Sequence, residues 1–280
     1  MALRRFLRNR RALVSAGLLV LVGLATLAIP WISPVDYRDQ DFDYTLGRPS
    51  AKYWMGTDAL GRDILVRLFI GGRISFAVGI LATTVSLAIG VAYGAVSASR
   101  GGRVDQLMMR LVDVLYGLPT MLLIIIVMAF LRTRDIVTVF VVIGLFGWLT
   151  LARIVRGQVL SVKELAFVEA ARALGVTSGP IIWRHLIPNI LGPVIVYTTL
   201  SVPAAMLSES FLSFLGLGVS EPETSWGVLI SEGASTLGTE KNYWWLVTFP
   251  GAALALTLYC LNSIGDGLRD AFDVQQRPGT

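Results

Sequence analysis

Glu169, Ala170, Ala171, Gly175 and Pro188 stand at fixed intervals in EAARALGVTSGPIIWRHLIPN, residues 169–189, a charged and polar stretch between two long apolar runs. Its composition suits contact with another protein rather than with lipid. The rest of the chain offers little for bond-making chemistry. One cysteine, Cys260, excludes a disulfide within the chain, and one histidine, His185, excludes a Cys/His metal cluster and an H-E-x-x-H zinc site. The phosphate-cradling pattern G-x-x-x-x-G-K-[ST] does not occur, so any nucleotide energy must come from another chain. Ile264-Gly265-Asp266 faintly resembles an intramembrane aspartyl-protease motif, but Ser263 stands where a glycine is needed. No catalytic, metal-ligating or cofactor-binding residue is expected. Glu209 is the conspicuous ionisable group within an apolar run. A charge at membrane depth is costly, so it either lines a pathway or ties helices together through hydrogen bonds. The tie is the preferred reading.

The elements that would hold these residues are membrane helices. Of the 280 residues, 54% are hydrophobic and 15% charged, and the mean hydropathy is +0.67. A soluble chain carries about 25% charge. Roughly 20 apolar residues cross a hydrocarbon core of about 30 Å. Six stretches qualify: about 12–31, 74–97, 107–131, 136–159, 190–217 and 244–264. Arg4, Arg5, Arg8, Arg10 and Arg11 precede the first and put the N-terminus in the cytoplasm by the positive-inside rule. A cleaved leader is the weaker reading, because the run is long and Ile29-Pro30-Trp31 is a poor small-residue cleavage site. Six spans return the C-terminus to the same side. Inside segments then hold 15 Lys or Arg and outside segments 9, six of these in or beside the first external loop. That loop, 32–72, also carries Asp36, Asp39, Asp41, Asp43, Asp58 and Asp63 and is expected to have structure of its own. Trp31, Trp244 and Trp245 fall at outer boundaries, where indoles prefer to sit. Gly90 and Gly94 share a helical face and are expected to serve close packing.

Local chemistry gives the 161–189 segment a shape. Residues 162–174 are good helix formers, and Glu169 and Arg172 are spaced to pair. Gly175 permits a left-handed turn that ends this helix. Ser178 can cap a second helix with Pro180 in its first turn. Pro188 is expected to interrupt the backbone before the fifth span. The outcome is a compact knob between two membrane helices. Asp113 and Arg110 are read as an i, i+3 surface pair. His185 is read as a packed or interface residue, and Glu221, Glu223, Glu232 and Glu240 as a solvated acidic face.

The order Glu-Ala-Ala, Gly175, Pro188 resembles the EAA loop of ABC importer permeases. Further stretches are similar to the permease subunit, of the C type, of the dipeptide/oligopeptide/nickel importers: GTDALGRD (56–63), FLSFLGLG (211–218), SWG (225–227), Pro250-Gly251 and GDGLRD (265–270). In the loop, Arg184-His185 with Pro188-Asn189 is similar to the peptide subfamily's version, where the general pattern has Ile at the position of His185.

The resemblance implies an all-α, polytopic bundle of six spans with both termini cytoplasmic, the type I ABC importer permease fold, in the bacterial inner membrane. It divides the chain into residues 1–72 (tail, first span and external loop), a permease domain 73–270 with the EAA loop at 161–189, and a tail 271–280. Glu169, Ala170, Ala171, Gly175 and Pro188 would couple to an ATPase. Asp58, Arg62 and Asp63 would fold the external loop or dock an external solute-binding protein. The implied partners are a homologous second permease, two cytoplasmic ATP-binding subunits that use ATP and Mg, the solute-binding protein and a peptide substrate. This chain would be no enzyme. Nickel, glutathione or a sugar are the alternative cargoes. An ion-coupled secondary transporter is the rival class, and it leaves the EAA loop unexplained.

Overall fold

The computed structural model describes residues 5–176, 178–237 and 242–272. Among these residues the regular elements are helices, with no strand; the lone bridge, Thr57 to Asp63, lies inside a loop. In chain order the helices are α1 (Arg10–Ile32), α2 (Ile64–Arg100), α3 (Gly102–Tyr116), α4 (Thr120–Leu131), α5 (Ile136–Val162), α6 (Ala166–Ala173), α7 (Ser178–Pro180), α8 (Ile187–Phe214), α9 (Trp226–Ser235) and α10 (Trp245–Phe272). A widened turn, Ile181–Leu186, joins α7 to α8.

Five helices are long and apolar enough to cross a membrane: α1, α2, α5, α8 and α10. The unbroken third span expected over 107–131 is not present. It is two helices, α3 and α4, bent by 79° at residues 117–119. The cause is Gly117-Leu118-Pro119. Pro119 donates no amide hydrogen bond, and its ring disfavours a helical conformation for Leu118. At about 1.5 Å per residue, the 12 residues of α4 rise only about 18 Å, too little to span alone. α2 is the opposite case. It starts ten residues before the expected span, because Asp63 caps its first turn and its early arginines find partners. The acidic loop after α8 also folds back, and its helix α9 buries Trp226, whose Nε1 donates to the Leu68 carbonyl at 2.8 Å.

Two contacts show how the bundle tolerates its irregular residues. Pro30 lies inside α1, so the carbonyl of Thr26 lacks its usual amide partner. Arg73 of α2 supplies the missing donor: its Nε reaches Thr26 O at 2.7 Å and its Nη2 reaches Leu27 O at 2.6 Å. α2 and α5 lie against each other along a seam of small residues. A Cβ on Gly94 would stand 2.5 Å from the Ala152 carbonyl oxygen and 2.9 Å from Val155 Cβ. Ser86 donates across the same seam to Gly144 O at 2.9 Å. The close approach expected of Gly90 and Gly94 is therefore made, and its partner is α5. Replacing Gly94 by Val should cost about 1–3 kcal/mol through overpacking. Thermal unfolding in detergent should show a lowered midpoint for Gly94→Val and little change for Gly17→Val, where nothing lies within 4 Å of the added atom.

Candidate functional site

The 166–186 hairpin is a small hydrophobic core with its own anchor. Val168 and Ala171 of α6 are buried against Ile181 and Leu186 of the returning segment. The same cluster takes in Ala95 and Ala98 at the end of α2, Val155 and Val159 of α5, and Ile190 and Val194 of α8. Fully burying a Val, Leu or Ile side chain stabilises by about 1.5–3 kcal/mol, so this contact holds the hairpin to three long helices. Lys163 adds a polar tie, donating to the Ala98 carbonyl at 3.3 Å.

Gly175 ends α6 as expected. Its φ is +78°, and the amide of Val176 closes back on Ala171 O at 3.1 Å. That six-to-one closure needs a left-handed residue at the turn, which glycine adopts without strain. Nothing lies within 4 Å of a Cβ placed there, so backbone conformation rather than space selects glycine. Pro188 does not interrupt the chain. Residues 178–214 stay helical, because the turn at Ile181–Leu186 widens and the Ile187 amide reaches back five residues to Ile182 O. The wider turn accommodates a proline that would otherwise remove a rung. The surface of the hairpin presents Glu169, Ala170, Leu174 (84% exposed) and Trp183 (68% exposed). The side chains of Arg172, Ser178 and His185, and residue Glu240, lie outside the described residues, and with them the expected Glu169–Arg172 pair.

Ionic pairs brace the helices beside the hairpin. Arg156 of α5 holds Asp105 of α3 with two bonds of 2.6 Å, and Ser97 of α2 donates to the same carboxylate at 2.6 Å. Asp113 pairs with Arg153 at 2.7 Å, not with Arg110 as expected, since α3 turns that face toward α5. The Arg153 guanidinium also sits 4.2 Å from the Tyr116 ring centroid.

At the opposite end, GTDALGRD forms a charged cluster. The Asp58 carboxylate accepts from the amides of Leu60 and Arg62 at 2.8 and 2.9 Å and from Arg62 Nε at 2.6 Å. Arg67 Nη1 bonds the same carboxylate. Arg67 also holds Glu232 of α9 with bonds of 2.6 and 3.0 Å, and Arg62 reaches Glu221 at 2.8 Å. Asp58 and Arg67 are almost fully buried. Asp63 is buried too; burial pushes its carboxyl above the usual range, against the amides of Leu65 and Val66, which it caps. Glu221 and Glu232 are thus the counter-ions of Arg62 and Arg67; Glu221 is still solvated, as expected, and Glu232 is half-buried. Sequence reading missed Arg67; the available signal was an arginine inside an apolar helix start.

Glu209 is fully buried in α8. Its Oε1 accepts from Ser213 at 2.7 Å and from Ser225 at 2.6 Å. Ser225 caps α9 by accepting from the Val228 amide at 3.2 Å. The carboxyl group therefore stands at the N-terminus of α9 and joins α8 to α9. Ser210 donates to its Oε2 at 3.4 Å, whereas Ser208 donates to Ala204 O at 2.8 Å.

Comparison with known proteins gives these features a context. The model of the binding-protein-dependent transport system inner membrane component matches residues 67–277. That of the N-terminal transmembrane domain of oligopeptide transport permease C matches residues 1–49. The oligopeptide transport system permease protein OppC of Haemophilus influenzae is 48% identical over 278 residues, covering 99% of this chain and 88% of that protein. OppC of Escherichia coli K12 is 46% identical, with 99% and 91% covered, and the dipeptide transport system permease protein DppC of Bacillus subtilis 44%, with 99% and 85% covered. Among solved structures, a chain of the methionine ABC transporter MetNI in an inward-facing conformation superimposes with a TM-score of 0.60 over 73% of this chain and 96% of that one. At 16% identity, that likeness concerns the fold alone.

The ionic cluster makes a prediction about stability. Arg67→Ala leaves the Asp58 and Glu232 carboxylates short of a counter-ion, a loss on the order of 3–5 kcal/mol for a buried pair. Thermal unfolding in detergent should show a large drop for Arg67→Ala and a smaller one for Arg62→Ala at the more accessible rim.

Proposed function

The chain belongs to the family of inner-membrane components of binding-protein-dependent transport systems, and from that premise we propose that it is one of two permeases forming the path of an ATP-driven peptide importer. The family makes it a multi-pass protein of the bacterial inner membrane. Di- and oligopeptides are the cargo on this reading, since the relatives are named for them. An external solute-binding protein delivers the peptide, and two cytoplasmic subunits hydrolyse ATP with Mg. This chain makes and breaks no covalent bond.

The topology is six crossings, the third made by α3 and α4 together, with both termini in the cytoplasm. The excess of Lys and Arg on the hairpin side supports it. The tail, first span and external loop occupy 1–72, the permease domain 73–270 and the C-terminal tail 271–280.

One observation carries the mechanism. The hairpin is exposed on its tip yet shares a buried core with α2, α5 and α8. A body anchored in this way moves as a unit with those helices. Glu169, Ala170, Ala171 and Gly175 form the coupling element seated in a groove of an ATP-binding subunit. Ala171 faces the core, so it sets the height of α6, while Glu169 and Ala170 face the partner. Pro188 and the widened turn fix the angle at which the hairpin enters α8. Closure of the ATPase pair then displaces the hairpin and tilts the spans. Asp58, Arg62 and Asp63 act on docking of the binding protein indirectly, by folding the loop and α9 that it meets.

Vesicles holding the whole importer test this. Gly175→Asp puts a side chain and a negative charge on the exposed turn where φ is +78°, a left-handed conformation that costs an L residue about 1–2 kcal/mol. ATP-dependent peptide uptake should fall at least tenfold, while the variant still assembles into the membrane with an unchanged unfolding midpoint of the bundle. Uptake at the wild-type rate would contradict the coupling role.

A further inference from the structure

α3 reads GRVDQLMMRLVDVLY and has two faces. One is held by the bundle. Arg156 and Ser97 hold Asp105, Arg153 holds Asp113, the Tyr93 hydroxyl donates to Met108 O at 2.9 Å, and Val112 is fully buried. The other face carries Val104, Leu107, Leu111 and Val114, all exposed, Leu107 by 73% and Val114 by 66%. Steps of three and four put these side chains in one stripe. Arg103 and Arg110, seven residues apart, run along one edge of it. Both are exposed, and neither has a hydrogen bond or ion pair among the described residues. We propose that this face of α3 docks on lipid: the stripe lies at the acyl boundary of the inner leaflet, and Arg103 and Arg110 bind anionic headgroups there. The proposal goes beyond the importer reading and takes from it only that the hairpin end faces the cytoplasm.

The break at 117–119 sets the orientation. Ile124 and Met128 of α4 share a core with Val139, Val142 and Ile143, so α4 runs along the spanning helix α5. α3 is turned 79° from α4 and therefore runs across the bilayer rather than through it. Its bonds to Arg153 and Arg156 put it at the hairpin end of α5. Composition excludes the environments on either side of that level. Arg103, Asp105, Arg110 and Asp113 are too costly for hydrocarbon. A continuous exposed apolar stripe is equally unsuited to water. The boundary between the two satisfies both, as it does for amphipathic helices with a basic polar edge. The arginines decide the occupant. Pressed against another subunit, they would be two desolvated cations with no counter-ion from this chain. An anionic leaflet supplies the opposite charge, and the arginine stems extend the apolar surface while their heads reach the phosphates.

The test uses the complete importer in proteoliposomes, with a bimane label on Leu107→Cys in a Cys260→Ser background and, as a second site, on Val114→Cys. Phosphatidylcholine brominated near the carbonyl end of its chains should quench both labels more than phosphatidylcholine brominated near the chain ends. In a phosphatidylcholine matrix, brominated phosphatidylglycerol should quench more than the same mole fraction of brominated phosphatidylcholine, with an association constant about fivefold higher for each arginine engaged. Arg103→Gln together with Arg110→Gln should abolish that preference and leave quenching by phosphatidylcholine in place, a split that a merely structural role for the arginines would not produce. Equal quenching by the two lipids before the arginines are changed would overturn the proposal. So would stronger quenching from the chain ends, which would make α3 a spanning segment. Absence of quenching by either lipid would overturn it too, and a crosslink from Leu107→Cys to the second permease would then name the occupant. The readout needs no transport, and both leaflets hold the same lipid. A failure of peptide uptake or of the assigned topology therefore leaves this result standing and counts against the importer reading alone.

Discussion

The buried contact of Val168, Ala171, Ile181 and Leu186 with the ends of α2, α5 and α8 governs the rest of the structure. A segment of some twenty residues between membrane helices would ordinarily be a solvated loop, free to yield under load. Here α6 is too short to be stable alone in water, and it exists because its apolar face is covered. The Schellman-type closure at Gly175 and the widened turn before Pro188 then fix the direction of the returning chain. Force applied to the exposed tip has no compliant joint to dissipate into before it reaches the three helices.

The two ends of the molecule use charge in different ways. Beside the hairpin, Asp105–Arg156 and Asp113–Arg153 tie the bent α3 to α5 at single points. The 79° bend at 117–119 follows directly after them. At the other end, Asp58 and Arg67 are buried at the centre of a cluster that joins the loop, α2 and α9. That arrangement costs a great deal to disturb. Glu209 extends it inward by joining α8 to the cap of α9. The bundle thus has a buried ionic cluster at one end and ionic braces beside the hairpin at the other.

Periodicity and hydropathy were enough to read the long helices, the all-helical class and the hairpin's left-handed turn from the sequence, because each of these depends on neighbouring residues. The breaks were harder. Gly117-Leu118-Pro119 and Pro188 both put a proline after a helical run, yet one bends the chain by 79° and the other is absorbed in a wider turn. Which occurs depends on what packs alongside, and that is not local. The distant partners of Arg67 and Glu209 were invisible for the same reason: Glu232 is 165 residues from Arg67, and Ser225 lies beyond a loop that gave no sign of folding back. Asp113 was paired within its own helix because spacing could not reveal which face α5 covers.

The central claim is that the hairpin and the three helices behave as one rigid body while the importer works. Spin labels at Ala170→Cys and Ser161→Cys in a Cys260→Ser background measure it directly, by electron–electron resonance on the complete importer with and without trapped nucleotide. A distance distribution that keeps its mean and width in both states, while labels on the two permeases move relative to each other, is the expected result. A hairpin distance that shifts or broadens by several ångströms on nucleotide trapping would contradict the account.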